Sequence, residues 1–498
     1  MSDPSAIQLP VHQALTSDML LGLKPSAPKS RSYRISVPPL NKNVFIPGDQ
    51  MIFELPTGRK GTWLDQSQSY IKFSVQAAAT GAVPIGNNGL YIENTAYSFI
   101  QRLDIYNSSN LLETINEYGQ LANFLLDSSL TQSDKAGLSP LIGSNAFNYS
   151  TLAAAAYAQG GSVNSVQVAG DRSGQSLVAP AIVGGQIPAA AIPYTFCLPV
   201  LSGVVGVNAS KMLPVGQIVN PIRCEFYLAN VNDAIYAGTT AAGATWQLVN
   251  VEFVVCYVEL TDGNFDMQMG PDEANYISTT TYRQTSATLP TASAGEFTSM
   301  LPFRCSSLTA IYARFRNQAS AVQGVNASAA YRKSSSVNPS LSQYYFRIGS
   351  SMYPNKPVYL MSSTTGTGGE GYAELLKSFH ALSASIGNSA ITYQNYNVAS
   401  TATVGFAGAS VAAARATALI PDTYNNAFSI GLELQSFSNR NDTILSGVST
   451  LNSQVFFTGT IFNGTTAGGA AGLDIIADFF AQMDMILVLQ NGILSAKF

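Results

Sequence analysis

The side chains that most often carry out catalysis are scarce in this sequence. A serine or cysteine nucleophile needs a histidine within hydrogen-bonding reach, and the 498 residues include 2 histidines, His12 and His380. His12 lies in a proline-containing N-terminal stretch, and His380 follows Phe379 in a segment with helical spacing. The sequence also has no G-x-S-x-G nucleophile elbow. We therefore interpret His380 as a surface or capping residue and predict that the protein is not an enzyme.

The cysteines and carboxylates do not form a recognisable metal or redox pattern either. Four cysteines are widely spaced inside strand-like runs, and they are Cys197, Cys224, Cys256 and Cys305. This spacing matches neither a zinc site nor a small disulfide framework, so we predict buried free thiols. A carboxylate pair such as Asp474 and Asp478 has no plausible partner set beside it. We expect no catalytic centre and no metal site.

One glycine-rich stretch matches a dinucleotide-binding pattern. GTGGEG (366–371) matches the G-x-G-x-x-G pattern, follows the strand-like VYLMSS and precedes a helical pattern at Tyr372. A dinucleotide-binding unit should continue into a parallel strand with an acidic residue about 20 positions on. The next acidic residue after the helix is instead Asp422. We interpret GTGGEG as a flexible loop and expect no cofactor.

The composition favours a protein whose surface is covered by other subunits. Hydrophobic residues make up 46% of the chain and charged residues 11%, whereas about 25% charged residues are usual in soluble proteins. The mean hydropathy is +0.14. The net charge of −4 gives no overall electrostatic case for nucleic-acid binding. Uncharged surfaces of this extent are typical of proteins that associate with copies of themselves.

Short alternating runs between turn residues predict an all-β protein built from sandwiches. The predicted strand regions are SYIKFSV (69–75), SFIQRLDIYN (98–107), PYTFCLPVL (193–201), VNVEFVVCYVEL (249–260), LTAIYARFRN (308–317), QYYFRIGSSMYP (343–354), AFSIGLELQSF (427–437) and the final FFAQMDMILVLQNGILSAKF.

Two helices are predicted between the strands, one in each half. In NLLETINEYGQLANFLLD (110–127) and in GYAELLKSFHAL (371–382), apolar residues recur at helical spacing. The residues that carry this spacing are Leu111, Ile115, Tyr118, Ala122 and Leu125 in the first, and Tyr372, Leu375, Leu376, Phe379 and Leu382 in the second.

The two halves follow the same order of elements. PIRCEFYLAN (221–230) aligns with QVFFTGTIFN (454–463), which places Cys224 on Phe457 as a core position. Tyr70 aligns with Tyr312 or Ala310, depending on the register. The two predicted helices align as well, and the order of the matches is collinear. We infer two copies of one β-domain, with long Ala/Gly/Ser-rich insertions (140–190 and 401–422) that project from one end.

Several stretches resemble one family of viral proteins. They are YYFRIGSSMYPNKPV (344–358), FSIGLELQSFSNRNDTILSGVSTL (428–451) and DFFAQMDMILVLQNGILSAKF (478–498), with ELPTGRKGTWLDQSQSYIKFSV (54–75) and AYSFIQRLDIYNSSNLLE (96–113) similar in kind. The sequence resembles double jelly-roll major capsid proteins of virophages and of polinton-like or adintovirus-like DNA elements. The resemblance implies two tandem eight-stranded antiparallel jelly-roll domains, each with a short helix insertion. We expect an N-terminal arm at 1–45, a first domain at 46–265 and a second at 266–498.

The resemblance also implies a function and partners. It implies homotrimers whose six jelly rolls form a pseudo-hexagonal capsomer, and these capsomers tile an icosahedral virion shell with penton and minor capsid proteins. Assembly would take place inside the host cell. The arm would lie on the inner face of the shell and reach a neighbouring capsomer, the viral DNA or an inner membrane.

The basic residues of the arm are the candidate contact residues, and they are Lys24, Lys29, Arg31, Arg34 and Lys42. No acidic residue interrupts them. A solvated tail would have the same composition, and five charges are few for a genome-packaging arm.

Two other protein classes remain as alternatives. The first is a single-jelly-roll capsid protein with a projecting domain, which predicts two unlike halves. The second is a non-viral β-sandwich that binds carbohydrate, which requires a cleft rich in aromatic and acidic residues. Only two tryptophans, Trp63 and Trp246, are present for such a cleft.

Overall fold

Most of the strand-forming regions are placed in a computed structural model of the chain. It describes residues 29–80, 90–144, 173–177, 181, 186–189, 191–237, 244–260, 274–289, 295–317, 333, 336, 339, 341–360, 369–379, 391, 396, 428–435, 445–461 and 475–498.

The described chain is dominated by antiparallel strands. In chain order they are β1 (Ser30–Val37), β2 (Gln50–Leu55), β3 (Thr62–Ala78), β4 (Leu90–Glu93), β5 (Ile100–Asn107), β6 (Asn110–Asn116), β7 (Ser173–Leu177), β8 (Tyr194–Pro199), β9 (Ile222–Leu228), β10 (Ile235–Ala237), β11 (Thr245–Leu260), β12 (Asn275–Leu289), β13 (Gly295–Leu301), β14 (Leu308–Asn317), β15 (Leu341–Ile348), β16 (Ser351–Tyr359), β17 (Ser429–Glu433), β18 (Val455–Ile461), β19 (Ile475–Gln490) and β20 (Ile493–Lys497). The helices are α1 (Tyr118–Ser129), α2 (Gln132–Gly137), α3 (Ser139–Ile142), α4 (Val231–Ala234) and α5 (Gly369–Ser378). Short 3₁₀ turns occur at Ala96–Phe99 and Val215–Gln217.

The strands form two sandwiches with the same topology. In the first sandwich the sheets have the orders β1-β11-β3-β8 and β2-β9-β5-β6, and in the second β12-β19-β14-β17 and β13-β18-β15-β16. Apart from β4, β7, β10 and β20, which pairs with β19, each sandwich therefore contributes eight strands in one shared arrangement. One sheet joins its first, eighth, third and sixth strands, and the other joins its second, seventh, fourth and fifth. This is a jelly-roll arrangement, and it confirms the predicted fold class of two tandem eight-stranded sandwiches.

Aromatic side chains fill the space between the paired sheets. In the first sandwich, Phe53 and Phe226 meet Phe253 of the opposite sheet, with ring centroids 5.7 and 6.1 Å apart. In the second, Phe457 meets Phe479 across the sandwich at 5.1 Å. Cys224 and Phe457 are both fully buried, on β9 and β18. The predicted match between these two core positions agrees with the positions of their strands in the two sheets.

A third, small sheet lies at one end of the first sandwich. It has the order β10-β4-β7, and its strands come from three connections, β9–β11, β3–β5 and β6–β8. The antiparallel pairing places all three connections at the same end of the sandwich. Part of the predicted projecting insertion (140–190) therefore folds as strand β7 in this sheet. The second insertion (401–422) lies outside the described residues.

The first predicted helix begins later than the sequence pattern indicates. Residues Asn110–Asn116, including Leu111 and Ile115, form strand β6, and the helix starts at Tyr118. The turn after Asn107 pairs β6 with β5 in a hairpin, and this tertiary pairing overrides the helical spacing. In the second half the helix spans Gly369–Ser378, while His380 and Leu382 lie outside the described residues.

Residues 369–371 of GTGGEG belong to helix α5 and are not a loop, so this part of the interpretation is wrong. A Cβ atom at Gly371 would lie 2.0 Å from Leu360 Cδ2 and 3.1 Å from the Tyr396 hydroxyl. The glycine is therefore needed for close packing of the helix. The Glu370 side chain accepts a hydrogen bond from the Tyr359 backbone N–H at 3.0 Å.

Part of the N-terminal arm predicted at 1–45 belongs to the first sandwich. Ser30–Val37 pairs along its whole length with β11 as the first strand of the first sandwich, and Tyr33, Ile35 and Val37 pack against its core. The alternation of apolar residues in RSYRISV favours a strand. Pairing with β11 stabilises this strand although the stretch contains basic residues. The first sandwich therefore begins before residue 46. Residues 1–28 and the expected boundary between 265 and 266 lie outside the described residues.

Candidate functional site

The two sandwiches meet in a buried interface formed by the first helix. Phe124 of α1 contacts the outward face of the second sandwich, with ring centroids 5.5 Å from Tyr312 and 6.5 Å from Phe480. Phe379, next to α5, stacks on Tyr312 at 4.7 Å. Tyr312 and Phe480 alternate along their strands with residues that face the core, so the contact uses the outer side of that sheet. We call this contact the interdomain interface.

A buried carboxylate lies at the centre of the interdomain interface. Asp478 is fully buried and accepts hydrogen bonds from Arg316 Nε at 2.5 Å, Ser286 Oγ at 2.6 Å and Gln120 Nε2 at 3.0 Å. Gln120 belongs to the first sandwich and the other three residues to the second. The neighbouring Arg314 donates to the Gln120 carbonyl at 3.4 Å. A buried ion pair with every carboxylate oxygen bonded strongly disfavours separation of its partners.

A second carboxylate joins the edges of the two sandwiches. Glu113 of β6 is buried and accepts hydrogen bonds from the Ser202 hydroxyl, from the Gly203 N–H at 3.1 Å and from Thr281 Oγ1 at 2.6 Å. Thr281 lies on β12 of the second sandwich. Burial raises the pKa of Glu113, although these hydrogen bonds oppose the shift. The three hydrogen-bond donors favour the ionised form of Glu113, whereas burial disfavours that form.

A lysine of the second sandwich reaches across to two acids of the first. Lys333 Nζ lies 2.8 Å from Glu117 Oε2 and 3.3 Å from Asp233 Oδ2. Burial lowers the pKa of Lys333, but the two carboxylates outweigh it, so the pKa lies above its ordinary value. Glu117 adopts a left-handed backbone conformation, with φ 49°, which is uncommon for a residue other than glycine. This conformation lies where β6 ends and α1 begins.

Contacts at both ends show how the sandwiches are oriented. Lys333 comes from the connection between β14 and β15, and its partners follow β6 and β9, so corresponding ends of the two sandwiches meet. At the opposite ends, the Val219 N–H donates to the Gly492 carbonyl at 2.9 Å. The Leu494 N–H donates to Asn107 Oδ1 at 3.0 Å. The sandwiches therefore lie side by side with corresponding ends together.

The basic residues predicted for the arm that the structure describes lie just before β1, on β1 and in the β1–β2 connection. Arg31 lies over the Tyr33 ring at 5.7 Å, and Arg34 Nη1 donates to the Tyr70 hydroxyl at 3.2 Å, both on β1. Lys42 lies in the β1–β2 connection and pairs with Asp49 at 2.7 Å. Lys29 is exposed just before β1. Lys24 lies outside the described residues.

The cysteines divide into two kinds, so the prediction of four buried thiols is only half right. All four are free; Cys224 and Cys305 are buried, whereas Cys197 and Cys256 are half-buried. Cys197 and Cys256 lie on the outer side of the sheet β1-β11-β3-β8, opposite Lys72 and Arg34 in register. Strand alternation alone did not show which side of each strand faced the core.

The described residues contain no group of three or more His, Cys, Asp or Glu side chains that could hold a metal ion. Within the same part of the chain, no helix is long and apolar enough to cross a membrane. Trp246 is fully buried against Phe99, with ring centroids 4.9 Å apart. It is therefore not available at the surface to stack on a sugar ring.

Sequence reasoning did not identify the residues of the interdomain interface. Asp478 was considered only as one of a carboxylate pair with Asp474. The sequence does contain a feature that points to Asp478, because it is a charged residue within the last apolar run of the sequence. A charge in such a run has to find a partner when the strand is buried.

Sequence comparison finds no relatives, whereas structural comparison does. No family model and no curated protein matches the chain. A chain in the cryo-EM structure of the Sputnik virophage matches with a TM-score of 0.57 at 13% identity, covering 99% of this chain and 94% of that chain. The Faustovirus major capsid protein matches with a TM-score of 0.56 at 10% identity, covering 98% and 95%. The mavirus major capsid protein matches with a TM-score of 0.52 at 10% identity, covering 100% and 96%.

At these identities the likeness establishes the fold. The matches extend over nearly the whole of both chains, so they include both sandwiches. The alternative of a single jelly roll with an unlike projecting domain is wrong, because both halves have the same strand order. The chain has the double jelly-roll fold of these viral major capsid proteins.

Proposed function

We propose that this protein is a structural protein, the major capsid protein of an icosahedral virion, and that it acts as a tile and not as an enzyme. The observation that carries the proposal is the interdomain interface, which holds two like sandwiches side by side with corresponding ends together. A tile needs this property, because its inner and outer ends must stay distinct. The fold and the low charge content support the same function.

The finer proposal is a homotrimer with six sandwiches around one axis. The interdomain interface is heterologous, since the β6 edge and α1 of the first sandwich meet the β12 edge and outer sheet face of the second. A heterologous contact that repeats between copies produces a ring when its rotation closes. Three copies with two sandwiches each would give a pseudo-hexagonal capsomer. Neighbouring capsomers, penton proteins and minor capsid proteins are the proposed partners in the virion.

The N-terminal segment has a separate proposed role. Lys24, Lys29, Arg31, Arg34 and Lys42 are proposed to contact viral DNA, an inner membrane or an acidic neighbour at the inner face. Lys24 and Lys29 precede β1 in the sequence. Arg34 and Lys42 contact Tyr70 and Asp49 within the same chain.

Size-exclusion chromatography with light scattering tests the proposed function. The expected result is a stable species with three times the mass of the chain. A monomer that persists at high concentration would overturn the proposal. A monomer that binds a glycan array would favour the carbohydrate-binding alternative.

A further inference from the structure

A lysine, an asparagine and an aspartate of the first sandwich form one buried cluster. Lys135 Nζ lies 2.5 Å from Asn94 Oδ1 and 2.6 Å from Asp127 Oδ1. Asn94 Nδ2 donates a hydrogen bond to the other oxygen of the same carboxylate, Asp127 Oδ2, at 3.1 Å. Asn94 and Asp127 are buried, and the Lys135 side chain is 12% exposed. An amine, a carboxamide and a carboxylate therefore form a closed ring of contacts that is largely shielded from water.

Three separate elements bring these groups together. Asn94 follows β4 in the β3–β5 connection, Asp127 belongs to α1 and Lys135 belongs to α2. Asn94 has a φ of 68°, a left-handed conformation in which asparagine is enriched. Its neighbour Thr95 donates a hydrogen bond to the Asn123 side chain of α1. The fold therefore holds the three side chains of the ring in fixed positions, which is the condition for a reaction between them.

The arrangement suits attack of the lysine amine on the asparagine carboxamide. Because a C=O bond is about 1.23 Å long, an Nζ atom 2.5 Å from Oδ1 is at most about 3.7 Å from Asn94 Cγ. Reacting atoms in near-attack geometries are about 3–3.5 Å apart. The Asp127 carboxylate contacts both nitrogens, with one oxygen at the attacking Nζ and the other at Nδ2. It therefore lies within hydrogen-bond reach of both proton transfers, as a general acid–base catalyst must.

We propose that Lys135 and Asn94 form an isopeptide bond within the chain and that Asp127 transfers the protons. A bond forms between Lys135 Nζ and Asn94 Cγ, and the bond between Cγ and Nδ2 breaks. Nζ begins as an ammonium group with three protons and ends as an amide N–H. Asp127 takes the first proton, which leaves the uncharged amine as the nucleophile. Both protons lost from Nζ pass to Nδ2, which leaves as an ammonium ion.

The reaction is complete without any other reactant. Atoms and charge balance, and no bond is oxidised or reduced, so the link does not need the oxidising compartment that a disulfide needs. Each chain undergoes the reaction once, on itself. It is a self-modification of a structural protein and not turnover of a substrate.

The bond fastens the helix of the interdomain interface to the end of the first sandwich. Asn94 and Lys135 belong to the β3–β5 and β6–β8 connections, which lie at the end that carries the small sheet β10-β4-β7. A covalent link between residues 41 positions apart restricts the unfolded chain in the way that a disulfide does. Helix α1, whose Phe124 contacts the second sandwich, lies inside the closed loop. The link therefore stabilises the helix on which the interdomain interface depends.

The intact mass of the purified wild-type chain is the first test. Mass spectrometry under denaturing conditions should give a mass lower than that of the sequence by one ammonia molecule. Digestion and fragmentation should yield a branched peptide that contains both Asn94 and Lys135. A wild-type chain with the full mass would overturn the proposal. Loss of ammonia without the branched peptide, as cyclisation of another asparagine would give, would also overturn it. A chain without the bond can still form the proposed trimer, so the two proposals fail independently.

Two substitutions separate the nucleophile from the proton carrier. Lys135→Arg keeps a cation beside Asp127 but removes the amine, so this variant should retain the full mass. Asp127→Asn should slow formation of the bond at least about a hundredfold, measured as the linked fraction against time from the start of cell-free synthesis. Lys377→Arg, the control, replaces an exposed partner of Glu374 and should leave the linked fraction unchanged. Loss of ammonia in Lys135→Arg, or a wild-type rate in Asp127→Asn, would overturn the assigned chemistry.

Discussion

Gln120 and Asp478 lie 358 residues apart, in different sandwiches, and Gln120 Nε2 donates a hydrogen bond to Asp478 Oδ2 at 3.0 Å. Arg316 holds the same carboxylate from within the second sandwich. One carboxylate therefore links the helix of the first sandwich to two strands of the second. The stability of the tile should depend on this group more than on the ion pairs at its surface.

Asp478→Asn should destabilise the protein by about 3–5 kcal/mol, because it removes the carboxylate that is hydrogen-bonded to the buried Arg316 guanidinium. The free energy of unfolding from denaturant titration checks this. Glu259→Gln, the control, removes a partner of Arg59, whose side chain is 62% exposed, and should cost less than about 1 kcal/mol. Equal effects of the two substitutions would contradict the assigned role of Asp478.

Glu113 should make the stability depend on pH in the acidic range. Burial raises its pKa in the folded state above the ordinary value of 4.5, so the folded protein holds the proton more tightly than the unfolded chain. The contribution of Glu113 to stability is fully present below pH 4.5 and is lost as the pH rises through the folded-state pKa. Glu113→Gln should therefore show a flatter stability profile over that window. A wild-type profile identical in shape to that of the variant would contradict this prediction.

Lys333→Met should destabilise the protein by about 1–3 kcal/mol, because Glu117 and Asp233 would then face each other without their shared cation. The pKa of Lys333 lies above 10.5, so the wild-type contribution should persist through neutral pH and be lost only as the pH rises through that folded-state value. Denaturant titrations at neutral and alkaline pH check both statements. Lys377→Met removes an exposed partner of Glu374 and should change stability by less than about 0.5 kcal/mol.

The N-terminal basic residues should contribute to DNA binding by assembled particles. Replacing Lys24 and Lys29 with alanine removes up to two phosphate contacts, so the slope of log K against log salt should fall by up to about 2. Retention of a DNA duplex across a salt series measures this slope. Lys377→Ala, the control, should leave the slope unchanged because Lys377 lies on helix α5, outside the N-terminal segment, and pairs with Glu374. A double variant with the wild-type slope would remove DNA from the proposed partners of this segment.

Local alternation was enough to predict many of the strands and their duplication. LTAIYARFRN coincides with β14, and PIRCEFYLAN and QVFFTGTIFN contain β9 and β18 at corresponding positions. The alternation of RSYRISV was present too, but the prolines and basic residues around it favoured an arm. The positions of Leu111 and Ile115 fit both helical and strand spacing, and the segment forms a strand because it pairs with β5.

The interdomain interface could not be predicted in the same way. Lys333 meets Glu117 and Asp233 only because two connections come together at corresponding ends of the sandwiches. Gln120 and Phe124 belong to a helix whose spacing shows an apolar side but not what that side contacts. Contacts of this kind depend on the relative placement of two folded units, which a single sequence does not encode as a local pattern.

Electron microscopy of the purified oligomer tests the central claim most directly. The account predicts ring-shaped particles with three-fold symmetry and six similar lobes, two from each chain. Particles with two lobes, or rings whose lobe number is not twice the number of chains, would contradict it.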